Sequence, residues 1–324
     1  MRKLLSLTLI SSLALAVSAC APASQEQLIS QLQPVCKTFT TGNAFDSHNF
    51  KANKNLKELP AATFKPGITS TKVETKVITE GTGPKLVGNQ LIYMEYQGLN
   101  GGTGVQFEAS KHDGTDTVVQ FLQKDGTPNF CDALTGVRVG SRVAILFPAK
   151  IAHGGQGIPS LKVAATDSLV FVLDIKSATL PHALGAAGSP QSGFPAITST
   201  TDGIPGFTFA NSTPPTKLAT EKLIVGNGDT IKDGDTVTLN YSGIVYGGKS
   251  TFDSSWTKGT PAQFTLTSTS MIKGFYKAMM GSKVGDRIVT IIPPDQGYGA
   301  TATGSIPANS TLVFVIDVLG TQHK

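Results

Sequence analysis

Residues 271–299 read MIKGFYKAMMGSKVGDRIVTIIPPDQGYG, and this stretch holds the clearest structural signals in the chain. Residues 275–280 predict a short helix closed by Gly281, because glycine commonly follows a helix C-terminus. Residues 288–292 form an unbroken β-branched run, which is typical of a central strand. The two prolines that follow end this strand, because proline cannot donate a hydrogen bond to a neighbouring strand.

Further strands lie on both sides of this stretch. Apolar residues alternate along residues 237–241 and again along 312–318, which indicates two more strands. The chain contains 35 glycines and only 15% charged residues, and this composition favours short strands joined by turns. The sequence therefore predicts an α+β fold in which an antiparallel sheet packs on one short helix.

The first half of the chain repeats in the second half at a separation of 145 residues, the distance from Tyr96 to Tyr241. The other matched pairs are Pro60 and Pro205, Phe64 and Phe209, Gly81 and Gly226, Phe107 and Phe252, Gly140 and Gly285, Arg142 and Arg287, and Pro148 and Pro293. Toward the end the separation becomes 143, so that residues 169–171 correspond to 312–314. A repeat of about 115 residues has the size of one domain, so the chain is predicted to contain two.

The composition outside the repeats predicts the remaining boundaries. Residues 1–19 are predicted to be a signal peptide, and residues 20–59 a polar tether that could contribute an edge strand. The two domains are assigned to residues 60–180 and 205–324. Residues 181–204, rich in glycine, serine, proline and threonine, are interpreted as the interdomain linker.

The second repeat carries aromatic and branched apolar residues beside one acid and one phenol. In chain order these residues are Tyr241, Phe252, Asp253, Phe264, Met271, Ile272, Phe275, Tyr298, Ile306 and Phe314. Over roughly 100 residues, their order and spacing resemble the FKBP-type peptidyl-prolyl cis/trans isomerases. The resemblance implies two tandem FKBP-like domains, each a twisted antiparallel β-sheet wrapped on one short α-helix.

The resemblance also implies a role for each of these residues. The implied substrate-binding residues are Tyr241, Phe252, Phe264, Met271, Phe275, Ile306 and Phe314, with Phe275 at the pocket floor. Asp253 is implied to form a hydrogen bond at the rim, and Tyr298 and the backbone N–H of Ile272 to donate to the substrate. A structural role is the alternative for each, because large apolar residues mostly form cores, and Asp253 or Tyr298 could instead stabilise a turn or a loop.

Such a pocket has the chemistry that proline isomerisation requires. Rotation about an X-Pro bond crosses a barrier of roughly 18 to 20 kcal/mol, because amide resonance is lost in the twisted state. A dry apolar cleft disfavours the planar dipolar amide, and one or two fixed hydrogen bonds favour the twisted one. We predict no metal or other cofactor, since the sequence has no CxxC motif, no histidine pair at ligand spacing and no phosphate-binding loop.

The first repeat departs further from the family pattern, although Phe107, Phe130 and Phe171 preserve its framework. Its counterparts of Asp253, Ile272, Tyr298 and residues 306–307 are Glu108, Thr127, His153 and residues 163–164. His153 could still donate a hydrogen bond, but the missing pocket walls admit water. We therefore predict a degenerate first domain that spaces, docks or holds clients, with isomerase activity mainly in the second domain.

Three departures in the second repeat keep a rival function open. Lys258, Ala262 and Phe275 stand where the family commonly has arginine, an aromatic residue and tryptophan. The alternative is a non-catalytic client-binding module or holdase chaperone that uses the same cleft. A purely structural envelope protein would explain the repeat but not the pocket residues.

The predicted partners are proline-containing unfolded or exported polypeptides, and the resemblance adds macrolide immunosuppressants of the FK506 type as candidate ligands. The formal net charge of +5 is too small to predict nucleic-acid binding.

The N-terminus predicts the compartment. Arg2 and Lys3 precede a largely apolar run at residues 4–17, which is too short to span a membrane and has the layout of a secretory signal. Residues 17–20, VSAC, resemble the bacterial lipobox, which is cleaved before a lipid-modified cysteine. We expect an exported, extracytoplasmic protein with a lipid anchor at Cys20 in the cell membrane; an ordinary signal peptide is the alternative.

Two further cysteines, Cys36 and Cys131, lie beyond the predicted anchor. An exported compartment permits a disulfide between them. A buried free thiol in the helix predicted around Cys131 is equally ordinary, so the sequence leaves both states open.

Substitution of Cys20 tests the predicted lipid anchor. Cys20→Ser is expected to abolish labelling by a radioactive or clickable fatty acid and to release the protein from washed membranes, while its thermal unfolding stays unchanged. Lipid labelling that persists in the variant would contradict the assignment.

Overall fold

A computed structural model describes residues 23–113, 117–189, 192–200, 203–210 and 213–324. The predicted signal peptide, residues 1–19, and Cys20 lie outside these ranges. Within the ranges, the α-helices are α1 (Gln25–Ser30), α2 (Ala44–Ser47), α3 (Phe130–Leu134), α4 (Ala149–His153), α5 (Ser255–Lys258) and α6 (Lys273–Met279). None of these described helices is long and apolar enough to cross a bilayer.

The first half of the chain, up to residue 180, forms a small hairpin and a larger antiparallel sheet. The hairpin strands are β1 (Lys51–Ala52) and β2 (Ala62–Thr63). The sheet strands are β3 (Glu74–Thr79), β4 (Leu91–Asn100), β5 (Gln106–Ala109), β6 (Val118–Phe121), β7 (Arg142–Phe147) and β8 (Leu169–Ala178). Their order is β3-β7-β8-β4-β5, and β6 also pairs with β4.

The second half, from residue 181, has the same arrangement with one addition. Its strands are β9 (Ala186–Ala187), β10 (Ala196–Ser199), β11 (Pro205–Thr208), β12 (Ala219–Val225), β13 (Thr236–Val245), β14 (Thr251–Ser254), β15 (Ala262–Thr265), β16 (Arg287–Ile292) and β17 (Leu312–Gln322). The sheet order is β14-β13-β17-β16-β12-β9, with β15 on β13, and β10 pairs with β11 as a hairpin. Single 3₁₀ turns lie at Pro159–Leu161 and Pro294–Gln296.

The sequence repeat is therefore a repeat of strand order and register. Tyr96 of β4 lies opposite Leu173, and Tyr241 of β13 lies opposite Ile316, the residue that corresponds to Leu173. Every residue of β7 and of β16 is buried, as expected for β-branched runs at the centre of a sheet. Antiparallel sheets with few helices confirm the coarse fold prediction.

The predicted helix at residues 275–280 begins earlier and ends one residue earlier than expected. Helix α6 spans Lys273–Met279, and Met280 already has an extended backbone. The first turn includes Gly274, a residue that disfavours helices in isolation. A Cβ atom at this position would lie 2.4 Å from the Ile292 side chain, so glycine allows the helix to press against β16. Tertiary packing thus outweighs local propensity at this end.

The segment predicted as a tether is packed against the rest of the molecule from Ala23 onward. The Gln25 side chain donates to the Val284 carbonyl at 2.9 Å, and Ile29 belongs to the core of the second half. Phe45 is only 1% exposed, in a cluster beside the first sheet. The tether prediction is therefore wrong, because apolar residues ahead of the lysine-rich stretch 51–57, such as Ile29, Ala44 and Phe45, find buried sites.

The Cys36–Cys131 disulfide resolves the alternative that the sequence left open. It fastens the N-terminal segment to helix α3 of the first half. The Lys37 N–H also donates to Asp132 Oδ1 at 3.0 Å, and the Phe39 N–H to the Thr135 carbonyl at 3.0 Å. The segment that begins on the second half is thus attached covalently to the first.

The segment predicted as a linker, residues 181–204, contains β9 and β10 and belongs to the second half. Leu184 lies in the second core, and the Ala183 N–H donates to Asp317 Oδ2 at 3.1 Å. A Cβ atom at Gly188 would lie 1.8 Å from the Lys222 carbonyl oxygen, so this glycine permits close strand approach rather than flexibility. Composition alone does not distinguish these two uses of glycine.

The two halves also meet directly. The Leu180 N–H donates to the Leu319 carbonyl at 2.8 Å, and Gln263 Nε2 donates to the Tyr93 hydroxyl at 2.7 Å. Val87 and Leu180 of the first half pack in the core of the second. These contacts fix one arrangement of the two sheets.

Fragments of the second half test the corrected boundary. Residues 180–324 keep β9, β10 and the partners of Arg287 at Ser199 and Gly203, whereas residues 205–324 lose all of them. Hydrogen bonds to a charged group contribute about 1.5–3 kcal/mol each, so the shorter fragment is expected to unfold at a clearly lower temperature or not to fold. Calorimetry measures this, with Ser199→Ala in the longer fragment as an intermediate control. Equal unfolding temperatures of the two fragments would support the boundary at residue 205 that the sequence predicted.

Candidate functional site

Nine of the ten residues singled out in the second repeat surround one cavity of about 220 Å³. Its lining consists of Tyr241, Phe252, Asp253, Phe264, Ser270, Met271, Ile272, Phe275, Tyr298 and Phe314. They come from β13, β14, β15, the start of α6, the segment after β16, and β17. These residues are far apart in sequence. They meet because β13 pairs with β17 along one edge and with β14 and β15 along the other.

The floor of the cavity is a group of aromatic rings held edge to face. The Phe275 ring centroid lies 5.3 Å from that of Phe314 and 6.5 Å from that of Tyr241, with interplanar angles of 87° and 84°. Phe252 meets Phe314 at 5.6 Å, and Phe264 meets Tyr241 at 6.0 Å. Each such ring pair contributes about 0.5–1.5 kcal/mol in addition to the free energy gained by burying its apolar surface. The edge-to-face contacts therefore hold the apolar floor in one arrangement.

Three polar side chains are linked in series along the rim by hydrogen bonds and an ion pair. The Tyr241 hydroxyl donates to Asp253 Oδ2 at 2.5 Å, and Lys258 Nζ lies 2.6 Å from Asp253 Oδ1. Lys258 belongs to the one-turn helix α5 directly after β14, where the Ser254 hydroxyl accepts from the Thr257 N–H. The sequence treated Lys258 as a departure from the family, but the lysine still provides a cation for this acid.

This chain of contacts sets the charge of the rim. Burial acts to raise the pKa of Asp253, but hydrogen bonds from Lys258 and Tyr241 outweigh it and hold the pKa below its usual range. Burial, followed by the hydrogen bond to Asp253, raises the pKa of Tyr241 well above that of a free phenol. The pair therefore stays a carboxylate and a neutral phenol throughout the physiological range.

Two donors at the cavity have no acceptor among the residues that the structure describes. The Tyr298 hydroxyl is one, and its side chain is 38% exposed at the mouth. The backbone N–H of Ile272 is the other, since this residue precedes α6 with an extended backbone. Both donors are free to bind a carbonyl group that enters the cavity.

Ile306 does not line the cavity. Its side chain is 5% exposed and packs within the core beneath. Its backbone exchanges two hydrogen bonds of 2.9 Å with Thr303, and the Asn309 N–H donates to the Gly299 carbonyl at 2.8 Å. Ile306 therefore supports the segment that carries Tyr298, and its predicted contact with the substrate stays a prediction.

Ser270 is a lining residue that the sequence did not indicate. Its hydroxyl donates to the Thr265 carbonyl at 2.7 Å and so ties β15 to the segment before α6. A serine in a threonine- and serine-rich turn gives no signal of its own, because only the folded turn brings it to the cavity.

The corresponding region of the first half is built from different side chains and different hydrogen bonds. Phe147 stands where the second half has Ile292, and its ring lies 5.0 Å from Phe130 and 6.0 Å from Phe171. Glu108 is exposed on β5. His153 Nδ1 accepts from the Gly157 N–H at 3.0 Å, so its Nε2–H donates to the Asp167 carbonyl at 2.8 Å. Both nitrogens of His153 are therefore used internally, contrary to the expectation of a free donor.

A protein-family model described as FKBP-type peptidyl-prolyl cis-trans isomerase matches residues 228–319. The chain is 36% identical over 113 residues to an FK506-binding protein of Streptomyces anulatus, covering 34% of this chain and 91% of that one. It is 39% identical over 107 residues to the FKBP-type peptidyl-prolyl cis-trans isomerase FkpA of Escherichia coli K12, covering 33% of this chain and 38% of FkpA. The chain thus spans well under half of FkpA.

Among solved structures, the three FKBP domains of wheat FKBP73 align with 78% of this chain and 95% of that one, at 18% identity and a TM-score of 0.35. The crystal structure of FkpA from Escherichia coli aligns with 41% of this chain and 53% of that one, at 32% identity and a TM-score of 0.31.

The rim predicts a pH-dependent effect of Asp253→Asn on stability. Loss of the charged hydrogen bonds is expected to lower the unfolding temperature by about 2–4 °C, since roughly 1 kcal/mol is lost in a domain of this size. Because the pKa of Asp253 is lowered by folding, its contribution is present above about pH 4 and lost as the pH falls through the folded value. The wild-type advantage is therefore expected to be constant from about pH 5 to 8 and to shrink below about pH 4.

Asp233→Asn is the matched control, because Asp233 accepts from the Tyr276 hydroxyl at 3.0 Å on the exposed surface. It is expected to change the unfolding temperature little. An Asp253→Asn effect that grew as the pH fell would contradict this account.

Proposed function

Since this chain belongs to the FKBP-type peptidyl-prolyl cis-trans isomerases, we propose that the cavity around Tyr241, Phe275 and Tyr298 isomerises X-Pro bonds in exported polypeptides. The observation that carries the proposal is the combination of an aromatic floor with two free donors, the Tyr298 hydroxyl and the Ile272 N–H. We also propose that the chain has two tandem FKBP-like domains. The first ends near residue 180 and the second begins with β9 rather than at residue 205.

The size of the cavity supports a polypeptide substrate that inserts one side chain. About 220 Å³ is below the range of roughly 300–1,000 Å³ typical of sites that enclose a whole small ligand. A proline ring fits such a volume, with the flanking chain crossing the rim. Macrolides of the FK506 type would compete for the same floor and are candidate inhibitors.

The proposed mechanism combines desolvation with oriented hydrogen bonds. The rings of Tyr241, Phe275 and Phe314 remove water from the prolyl ring and disfavour the planar, strongly dipolar amide. Tyr298 and the Ile272 N–H donate to substrate carbonyls and hold the chain on either side of the twisting bond. Asp253 orients the Tyr241 ring through their hydrogen bond. No bond breaks, so no residue acts as a nucleophile or a proton carrier.

The first domain is proposed to contribute little catalysis. Phe147 enlarges the aromatic cluster at the place of the second domain's floor, and His153 has no free donor. The contacts of Tyr93 with Gln263 and of Leu180 with Leu319 support a role as a rigid spacer that holds the active domain.

Export and lipid anchoring at Cys20 complete the proposal. The Cys36–Cys131 disulfide supports an oxidising compartment, because such bonds persist in exported proteins and are rare in the cytosol. The clients would then be proteins that fold after export, at the outer face of the membrane.

Matched substitutions in the full chain test both mechanism and asymmetry. Tyr298→Phe is expected to lower kcat/KM roughly 5- to 100-fold, because one shielded hydrogen bond is worth about 1–3 kcal/mol. Phe275→Ala is expected to cost more, because it opens the floor to water. His153→Phe, at the corresponding place in the first domain, is expected to leave the rate unchanged. Protease-coupled assays on an X-Pro peptide measure all three, with thermal unfolding as the check of folding.

Other outcomes separate the rival functions. A holdase would show no isomerase rate and would lose client binding with Phe275→Ala alone. Equal losses from Tyr298→Phe and His153→Phe would show that both domains catalyse. The rate is expected to be nearly flat between about pH 6 and 8, where Asp253 stays ionised and Tyr241 neutral. A steep profile there would contradict the mechanism.

A further inference from the structure

The first domain contains a buried group of ionisable side chains that is unrelated to the isomerase cavity. Glu95 lies on β4, Asp174 on β8, and His112 on the connection between β5 and β6. His112 Nδ1 is 3.1 Å from Glu95 Oε2, and His112 Nε2 is 3.1 Å from Asp174 Oδ2. All three side chains are only 2–3% exposed. An imidazole ring is thus enclosed between two carboxylates.

The close approaches are not hydrogen bonds. Neither buried ring nitrogen of His112 has a hydrogen-bond partner among the described residues, because the carboxylate oxygens lie out of line with the ring. The two 3.1 Å distances involve different ring nitrogens, so only one of them can separate two ligands of the same ion. Ligand atoms that bind one ion at about 2.0–2.2 Å lie some 3.1–3.6 Å apart, so the other carboxylate has to approach when an ion binds. One donor atom from each of the three side chains lies within 4.8 Å of the others.

We propose that Glu95, His112 and Asp174 bind a divalent transition-metal ion such as Zn²⁺. One imidazole nitrogen and two carboxylate oxygens suit zinc better than magnesium or calcium, which prefer oxygen donors alone. A water molecule would complete four ligands. The ring nitrogen that does not bind the ion lies 3.1 Å from the other carboxylate, the kind of neighbour that usually orients a metal-binding histidine.

Two cations already contact this group and decide how an ion enters. Arg142 is fully buried and donates to both oxygens of Asp174, at 2.6 and 2.7 Å. Lys176 Nζ lies 2.5 Å from Glu95 Oε2, but its side chain is 40% exposed. Arg142 therefore stays in place, and the Lys176 ammonium moves into solvent when an ion binds. Lys176 is thus a built-in competitor for the proposed ion.

The second domain provides an internal comparison. At the positions of Glu95, His112 and Lys176 it has Asn240, Thr257 and Leu319. Only the aspartate remains there, as Asp317, and its oxygens are held by Arg287 and the Ala183 N–H. The donor set is therefore specific to the first domain. The proposed ion fastens the β5–β6 connection to the sheet, which is a structural role separate from isomerisation.

Titration of the full mature chain, purified without a histidine tag, tests the site. Isothermal calorimetry with Zn²⁺, and absorption spectroscopy with Co²⁺, are expected to show one ion per chain. His112→Gln and Glu95→Gln are expected to weaken binding at least tenfold, whereas Lys176→Met is expected to strengthen it about tenfold. His153→Gln, a histidine of the same domain outside the group, is the control and is expected to bind as wild type. Isomerase activity is expected to be unaffected by the ion, so this result is independent of the proposed function.

Two results would overturn the site. Absence of stoichiometric binding in both the wild type and Lys176→Met would show that Arg142 and Lys176 alone neutralise the carboxylates. Binding that persists in His112→Gln would place the ion elsewhere, for instance at His323 and Asp235, which lie 3.0 Å apart. If His112→Gln fails to fold, the test rests on the Zn²⁺ affinity of Lys176→Met, which the proposal expects to exceed that of the wild type. The partly exposed Lys176 side chain can be replaced without opening the core.

Discussion

A buried arginine–aspartate pair in each half of the chain is the interaction on which the rest of the fold depends. Arg142 holds Asp174 and Arg287 holds Asp317, each through Nε and Nη2 at 2.6 and 2.7 Å. The same guanidinium groups reach outward to the N-terminal hairpins, Arg142 to the Asn53 and Glu58 carbonyls and Arg287 to Ser199 and the Gly203 carbonyl. A buried charge without its partner costs about 3–5 kcal/mol, so each pair requires both its central strands and its hairpin to be in place.

The pair in the second half also determines where the cavity forms. Asp317 lies on β17 three residues after Phe314, and Arg287 begins β16, whose far end lies against α6 and Phe275. With β16 and β17 in a fixed register, Phe314 and Phe275 meet at 5.3 Å. The position of the rim depends on a second set of contacts. Asp253 on β14 binds both the Tyr241 hydroxyl on β13 and the Lys258 ammonium on α5. The core therefore sets the floor, and local polar contacts set the mouth.

The features predicted correctly from the sequence are those for which the residue pattern alone determines the local structure. A β-branched run such as residues 288–292 gains most from burial on both faces, and it is the central strand β16. The 145-residue repeat and the cavity aromatics were likewise readable, because they depend on order and spacing. The segment around Gly188 was misread as a linker, since a glycine at a close strand contact looks like one in a linker. The partner of Asp253 and the group around His112 depend on contacts that only folding creates.

The comparison of the two halves shows that side chains at the site can change while the strand order is kept. The residues that both halves share include the buried pair and the close-packed glycines behind the cavity. They also include the aromatic pairs Tyr96 and Tyr241, Phe107 and Phe252, and Phe171 and Phe314. The residues that differ include Glu108 and Asp253, His153 and Tyr298, and Glu95 and Asn240. Replacing Ile292 by a residue such as Phe147 enlarges an aromatic cluster without disturbing the register of its strand. The two copies can therefore differ in the lining of their cavities and in their buried ionic groups while they keep the same strand order.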